Sequence, residues 1–176
     1  RRFTKKSIKR ITGRIVKRGA KVVSINPVRT GYNAIADEWL GVKPGTDGLL
    51  VGALIHELFR TNQVDLDYLV RYTNAPWLVI QDKNAKDDGL FARDADGKPL
   101  CFDKKTNALV SSARVDIAPA LVGEFTLADG RRAVPVFRLI AERYLSPEYP
   151  PDSVTVETGV PADTIRRISA EIAEVA

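Results

Sequence analysis

The side chains best suited to binding chemistry fall between positions 26 and 47. Arg29 can clamp a phosphate and Thr30 can donate a hydroxyl hydrogen bond; both follow an apolar run, Val22, Val23 and Ile25, that reads as a buried strand. Alternatively, both satisfy loop carbonyls. Asp47 follows Pro44-Gly45-Thr46 and precedes a long apolar segment, which places it at a helix N-terminus. A carboxylate there either caps the helix or accepts from the N1–H and exocyclic amine of a guanine, and it has acceptor sites enough for both. His56 is the sole histidine; late in an apolar helix it reads as packed rather than catalytic. Cys101 is the sole cysteine, which rules out an internal disulfide and any cluster built from this chain's thiolates alone. It reads as a small buried hydrophobe. One histidine and one distant cysteine make no recognisable metal set. GxGxxG, P-loop, Ser-His-Asp and CxxC patterns are absent.

These residues need elements to hold them. The run at 21–25 stops at Asn26-Pro27, and a second apolar pulse, Trp39, Leu40 and Val42, ends at Pro44-Gly45. Two strand ends and one helix N-terminus are therefore delivered within about thirty residues, an arrangement that frames nucleotide sites in α/β proteins. The helix over 49–60 is apolar on nearly every side and is expected to be buried centrally. A short helix over 65–72 would turn Leu66, Leu69 and Val70 inward. From Trp77 the character changes. The strand-like pieces at 77–80, 89–92, 99–102, 107–110 and 124–127, with turn dipeptides Asp96-Gly97 and Asp129-Gly130, predict an antiparallel β excursion. Within it, 82–88 reads as a mobile polar loop, and Asp87, Asp88, Asp94, Asp96 and Asp103 as turn residues without metal-loop spacing. Helix returns at 136–145, a proline-rich link follows at 147–151, and a last helix has Pro161 as its first residue, Asp163 in its first turn and a buried stripe of Ile165, Ile168, Ile172 and Val175. The expected organisation is an α/β part over 1–76, a β-hairpin excursion over 77–135 and a helical return over 136–176.

At 176 residues and 44% apolar composition the chain suits one core, and no apolar run approaches the roughly 18 residues of a membrane span. It contains no methionine and begins with Arg1-Arg2, which reads as a piece of something longer; the basic stretch that follows excludes a twin-arginine signal. Charge is unevenly placed. The first 36 residues carry 11 Lys and Arg and no acid, whereas the remainder carries 16 bases and all 22 acids. A helix predicted over 3–18, with Ile8, Ile11 and Ile15 on one face and Gly19 as its stop, bears most of that positive charge. Its basic face either binds nucleic acid, is simply solvated, or meets another part of a larger protein; no aromatic residues interleave the charges.

Three segments together resemble the catalytic subunits of the molybdopterin oxidoreductases of the dimethyl sulfoxide reductase family. They are GAKVVSINPVRTGYNAIADEWLGVKPGTDGLLVGALIHEL at 19–58, the helix with Tyr-Thr-Asn at 65–74, and TGVPADTIRRISAEIA at 158–173. The resemblance implies a Rossmann-like (dinucleotide-binding variant) partial sheet with flanking helices and an antiparallel β excursion. It further implies a parent enzyme holding bis-molybdopterin guanine dinucleotide with molybdenum or tungsten. In that reading Asn26, Arg29 and Thr30 line the nucleotide pocket, Gly45 and Thr46 let the backbone approach it, and Asp47 reads guanine. Asn26-Pro27 departs from the family's frequent Asp-Pro. The family's iron–sulfur cysteine motif, metal-ligating residue and carboxy-terminal pterin-binding domain have no counterpart here, so no catalytic residue is assigned. An iron–sulfur cluster is expected in the missing amino-terminal part. The partners implied are the remainder of the catalytic subunit, a small-molecule substrate and an iron–sulfur electron-transfer subunit, with nucleic acid not expected. The chain alone is expected to be inactive; substrate and compartment stay open. The contrasting reading is a small nucleic-acid-binding domain using the basic N-terminal helix.

Overall fold

The computed structural model describes residues 13, 19–29, 31, 33 and 36–175. The helix expected over 3–18 lies, apart from Gly13, outside the described residues, as does Thr30. The fold is mixed α/β, with small parallel and antiparallel sheets. The chain divides into two compact units, 1–57 with 147–171 and 58–146 with 172–176. No described helix is long and apolar enough to cross a membrane.

In the first unit β1 (Val23–Ile25) and β2 (Glu38–Leu40) pair in parallel, with Val23 opposite Glu38 and Ile25 opposite Leu40. A parallel pair needs a connection of a dozen or so residues, and 26–37 supply it. The strand β1 is half-buried rather than buried, and Ile25 is exposed. After β2 comes α1 (Asp47–Arg60). It is not apolar-buried all round: Leu50, Gly52, Ala53, His56 and Glu57 are buried, while Val51 is exposed. The core joins Leu40, Val42, Leu50 and Ala53 to Val154, Val160, Ile165 and Ile168.

Those last four belong to the returning chain. Residues 151–158, not anticipated as regular structure, form α4 (Pro151–Thr158). Pro151 stands at the first helical turn, where its missing N–H costs nothing, and Gly159 ends the helix at φ +76°. The final helix α5 (Ala162–Val175) starts one residue later than expected. Pro161 caps it, its carbonyl accepting from Ile165 N at 3.1 Å. Its buried face stops at Ile168 and Ser169, and Ile172 and Val175 are exposed. Lys21 and Arg167 share Glu38 and Glu171: Lys21 Nζ lies 2.7 Å from Glu171 and 3.1 Å from Glu38, and Arg167 Nη1 lies 2.6 Å from Glu171. Arg167 also pairs with Glu38. This network ties α5 to the leading ends of the two strands, away from the ends that carry the candidate ligand residues.

In the second unit α2 (Leu66–Tyr72) is capped by Asp65, whose Oδ1 accepts from Tyr68 N at 2.8 Å. Leu66 is exposed; Leu69 and Val70 are half-buried. The excursion is antiparallel as expected. β3 (Leu78–Ile80), β7 (Arg132–Pro135) and β6 (Phe125–Thr126) form one sheet in that order, and β4 (Leu100–Asp103) pairs with β5 (Ala108–Ser111). The piece at 89–92 adds only a bridge, Val79 to Phe91. The central strand β7 was not anticipated, because Arg131-Arg132 and Pro135 mask its short buried run, Ala133-Val134. It leads directly into α3 (Val136–Tyr144). Residues 82–88 form a polar, hydrogen-bonded turn: Asp88 Oδ1 accepts from Asp82 N at 2.8 Å and Arg131 Nη1 grips Asp87 at 2.7 Å.

Asp103 is a turn residue as expected, accepting from residues two and three positions on, and it is also a buried hub. Only 1% exposed, its carboxylate accepts from Ala118 N (2.8 Å), Lys105 N (3.1 Å), Thr106 Oγ1 (2.8 Å) and Thr106 N (3.3 Å). These donors, Ala118 N–H foremost, hold its pKa at about 2, below the ordinary value of 3.8. A depressed native pKa stabilises the fold above the unfolded value and loses that contribution as pH falls from about 4 toward 2. Replacing Asp103 by Asn is therefore expected to destabilise the unit at neutral pH and to flatten its acid-unfolding profile between those limits. Acid titration of both proteins by circular dichroism checks this; parallel profiles would contradict it.

Candidate functional site

The candidate site is the trailing end of the parallel pair and the start of α1. Asn26 extends the ladder by one rung, its N–H donating to Leu40 O at 3.1 Å. Its Oδ1 turns back to accept from Val28 N at 3.0 Å, and its carbonyl accepts from Trp39 Nε1 at 2.9 Å. The side-chain amide donors of Asn26 meet no described residue. Asn33, buried in the same connection, accepts from Ser24 Oγ and donates through Nδ2 to Val28 O at 3.0 Å. Arg29 leaves this braced loop exposed, its guanidinium carbon 5.9 Å from the Trp39 ring centroid, and it has no acidic partner among the described residues. The structure describes no contact of Thr30.

A second group of candidate residues lies in the turn after β2. Val42 is buried, and the backbone N–H of Lys43 donates to Thr158 O at 2.9 Å, anchoring the turn to α4. Thr46 closes it with two bonds to Lys43 O, from its N–H at 3.2 Å and its hydroxyl at 2.8 Å. Gly45 adopts φ +83°, and a Cβ there would meet nothing within 4 Å. Glycine is thus required by the backbone, and the space above it is open to an approaching group.

Asp47 does not cap α1. Thr46 occupies the capping position, its carbonyl accepting from Leu50 N at 3.0 Å, and its hydroxyl is committed to Lys43 O. Asp47 is the first helical residue, exposed, and its carboxylate accepts from no described donor. The N–H groups of Asp47, Gly48 and Leu49 likewise find no acceptor among the described residues, the usual orphans of a helix start. The helix dipole favours negative charge here. The Asp47 carboxylate supplies that charge itself, so a phosphate at this point would face a like charge. A carboxylate accepts only, and it suits a ligand presenting paired N–H donors; guanine does so through N1–H and its amine. Arg29 is the group suited to phosphate. Asp47 thus offers an exposed acceptor and Arg29 an exposed cationic donor.

They do not assemble a metal site. Among the described residues no three His, Cys, Asp or Glu side chains come together. His56 is buried in α1, as its apolar neighbours suggest. Cys101 is buried on β4, and burial pushes its thiol up to about 11, the mark of a packed, unreactive thiol. Three residues of the site escaped notice as site residues in the sequence: Trp39, Gly41 and Asn33. Only the apolar character of Trp39 and the turn chemistry of Asn33 were visible.

No family model matches the chain. Among curated proteins, it is 42% identical over 165 residues to a sulfite dehydrogenase subunit of Allochromatium vinosum, covering 89% of this chain and 17% of that protein. It is 33% identical over 150 residues to a putative dimethyl sulfoxide reductase catalytic subunit of Halobacterium salinarum, covering 84% of this chain and 18% of the relative. It is 29% identical over 196 residues to the alpha subunit of perchlorate reductase of Dechloromonas aromatica, covering 88% and 20%. The chain thus spans a fifth or less of the length of these relatives.

Proposed function

The chain belongs to the molybdopterin oxidoreductases of the dimethyl sulfoxide reductase family, a family that uses a molybdopterin cofactor, and from that premise we propose that it builds the pocket for the guanosine end of a molybdopterin guanine dinucleotide within a larger catalytic subunit. The observation that carries this reading is Asp47: an exposed carboxylate with no described partner, on the first turn of α1, beside a Gly45 turn with open space above it. In this reading Asp47 accepts from the guanine edge. Arg29 faces a phosphate, Asn26 offers amide donors that meet no described residue, Thr30 adds a hydroxyl, and Gly45 and Thr46 bring the backbone close.

The parallel β1–β2 pair and α1 would then be one side of a Rossmann-like sheet completed by the rest of the subunit, with the ligand at the strand ends where open α/β sheets bind nucleotides. The cofactor is a bis-molybdopterin guanine dinucleotide with molybdenum or tungsten, which when bound supplies two-electron redox chemistry. This chain's share is binding and orientation, since the cofactor carries the redox step. The iron–sulfur cluster, metal ligand and substrate pocket belong to the remainder of the subunit, and an iron–sulfur subunit passes electrons onward. The isolated chain turns over no substrate.

Elemental mass spectrometry of the complete native polypeptide, paired with assay of GMP released by acid, tests the proposal. Near-stoichiometric molybdenum or tungsten accompanied by GMP is expected. A fully matured preparation with neither would overturn it.

A further inference from the structure

We infer that Trp39 is the positioning residue of the strand-end loop, holding Arg29 where it meets the phosphate of the bound dinucleotide. The inference rests on the guanosine reading and extends it to a residue on β2. The indole Nε1–H donates to Asn26 O at 2.9 Å, reaching from β2 to the end of β1. With that carbonyl fixed, Asn26 Oδ1 holds Val28 N and Asn33 Nδ2 holds Val28 O, each at 3.0 Å. Both polar groups of Val28 are thus committed, and Arg29 leaves the loop at a set point. The guanidinium then lies over the Trp39 ring, 5.9 Å from its centroid, within range of a cation–π contact.

Gly41 makes this arrangement possible. A Cβ on Gly41 would fall 2.8 Å from Trp39 Cη2 and 3.0 Å from Cζ2, so the ring lies across the Gly41 backbone in space that any side chain would claim. The requirement is room, since Gly41 has no positive φ. A carboxylate partner would order Arg29 but also neutralise it. An aromatic face orders it and leaves its five N–H donors for the ligand. A rotamer-rich side chain confined before the ligand arrives costs less to immobilise on binding.

The test uses the complete catalytic subunit loaded with its cofactor. Loss of bound nucleotide during incubation is followed as acid-released GMP remaining with the protein, and folding is checked by circular dichroism. Trp39→Leu is expected to hasten loss roughly tenfold, the effect of one side chain no longer confined beforehand, and Arg29→Ala, which also removes the phosphate contact, at least as much. The double variant should be no worse than Arg29→Ala alone, because the tryptophan acts through the arginine. Trp39→Phe keeps the ring but loses the N–H and should fall between. Gly41→Ala, which displaces the ring while keeping every other side chain, should reproduce Trp39→Leu and be non-additive with Arg29→Ala. If Trp39→Leu does not fold, Trp39→Phe and Gly41→Ala carry the same comparison. Additive losses in the double variants would overturn the inference, since Trp39 would then act on the fold alone. Normal retention in all of these, with rapid loss in Asp47→Ala, would also overturn it while sparing the guanosine reading. Normal retention in Asp47→Ala as well would remove the guanosine reading itself.

Discussion

Asp47→Ala in the complete catalytic subunit is expected to strip the protein of guanine nucleotide while leaving it folded. The carboxylate is exposed and bonded to no described residue, and α1 is capped by Thr46, so its removal costs the fold only its favourable charge at the helix start, about 0.3–1 kcal/mol. What it withdraws is a charged acceptor for two guanine N–H groups. Hydrogen bonds to a charged group are worth about 1.5–3 kcal/mol each, so losing the pair weakens retention by at least about 100-fold. Asp47→Asn should weaken it less, because the amide keeps one acceptor but opposes one guanine donor with a donor of its own. Metal and GMP content per polypeptide, measured after purification and again after incubation, read the difference. If both variants retained cofactor like the parent, Asp47 would be only a dipole-complementing surface acid.

The largest expected effect on stability is at Gly52, in the interior of α1. A Cβ there would lie 2.4 Å from Cδ1 and Cε1 of Tyr149, whose ring is itself buried. Alanine would gain about 1 kcal/mol of helix propensity over glycine. Against that stands overpacking of a filled core, which costs about 1–3 kcal/mol. Net destabilisation is therefore expected for Gly52→Ala, and a larger loss for Gly52→Val, which adds two methyl groups and a β-branch. Gly48, on the same helix with nothing within 4 Å of a Cβ, is the matched control. Gly48→Ala should be neutral or stabilising by up to about 1 kcal/mol. Thermal unfolding of the complete subunit, with hydrogen exchange across α1 as the local readout, separates them. Equal behaviour at the two glycines would show that Tyr149 yields without cost.

The residues differ in how far their roles could be read from the chain itself. The turn at Pro44-Gly45-Thr46-Asp47 was legible because its chemistry is local: a left-handed glycine followed by a polar helix start. The strands β3 to β6 were legible for the same reason, with Gly97 and Gly130 marking hairpin turns. The strand β7 was hidden, since its pairing partners β3 and β6 lie on either side in space and Arg132 opens it, directly after Arg131. The helix α4 was hidden because Pro151 and four β-branched residues argue against helix locally, while burial of Val154 and Thr158 decides in its favour. The turn role of Asp103 was legible, but its place as a buried hub was not, because its donor Ala118 N–H lies fifteen residues on. The parallel pairing of β1 with β2, the bond from Trp39 to Asn26 and the clearance at Gly41 are likewise products of tertiary contact. The capping residue of α1 fell one position away from the obvious candidate, and that shift leaves the Asp47 carboxylate without a partner among the described residues.

The most direct test of the central claim is an experimental structure of the complete, cofactor-loaded subunit, read at one distance. Asp47 carboxylate oxygens are expected within about 2.7–3.2 Å of guanine N1 and its exocyclic nitrogen, with Arg29 on a phosphate oxygen. A guanine held elsewhere, with Asp47 facing solvent or another protein segment, would contradict the account.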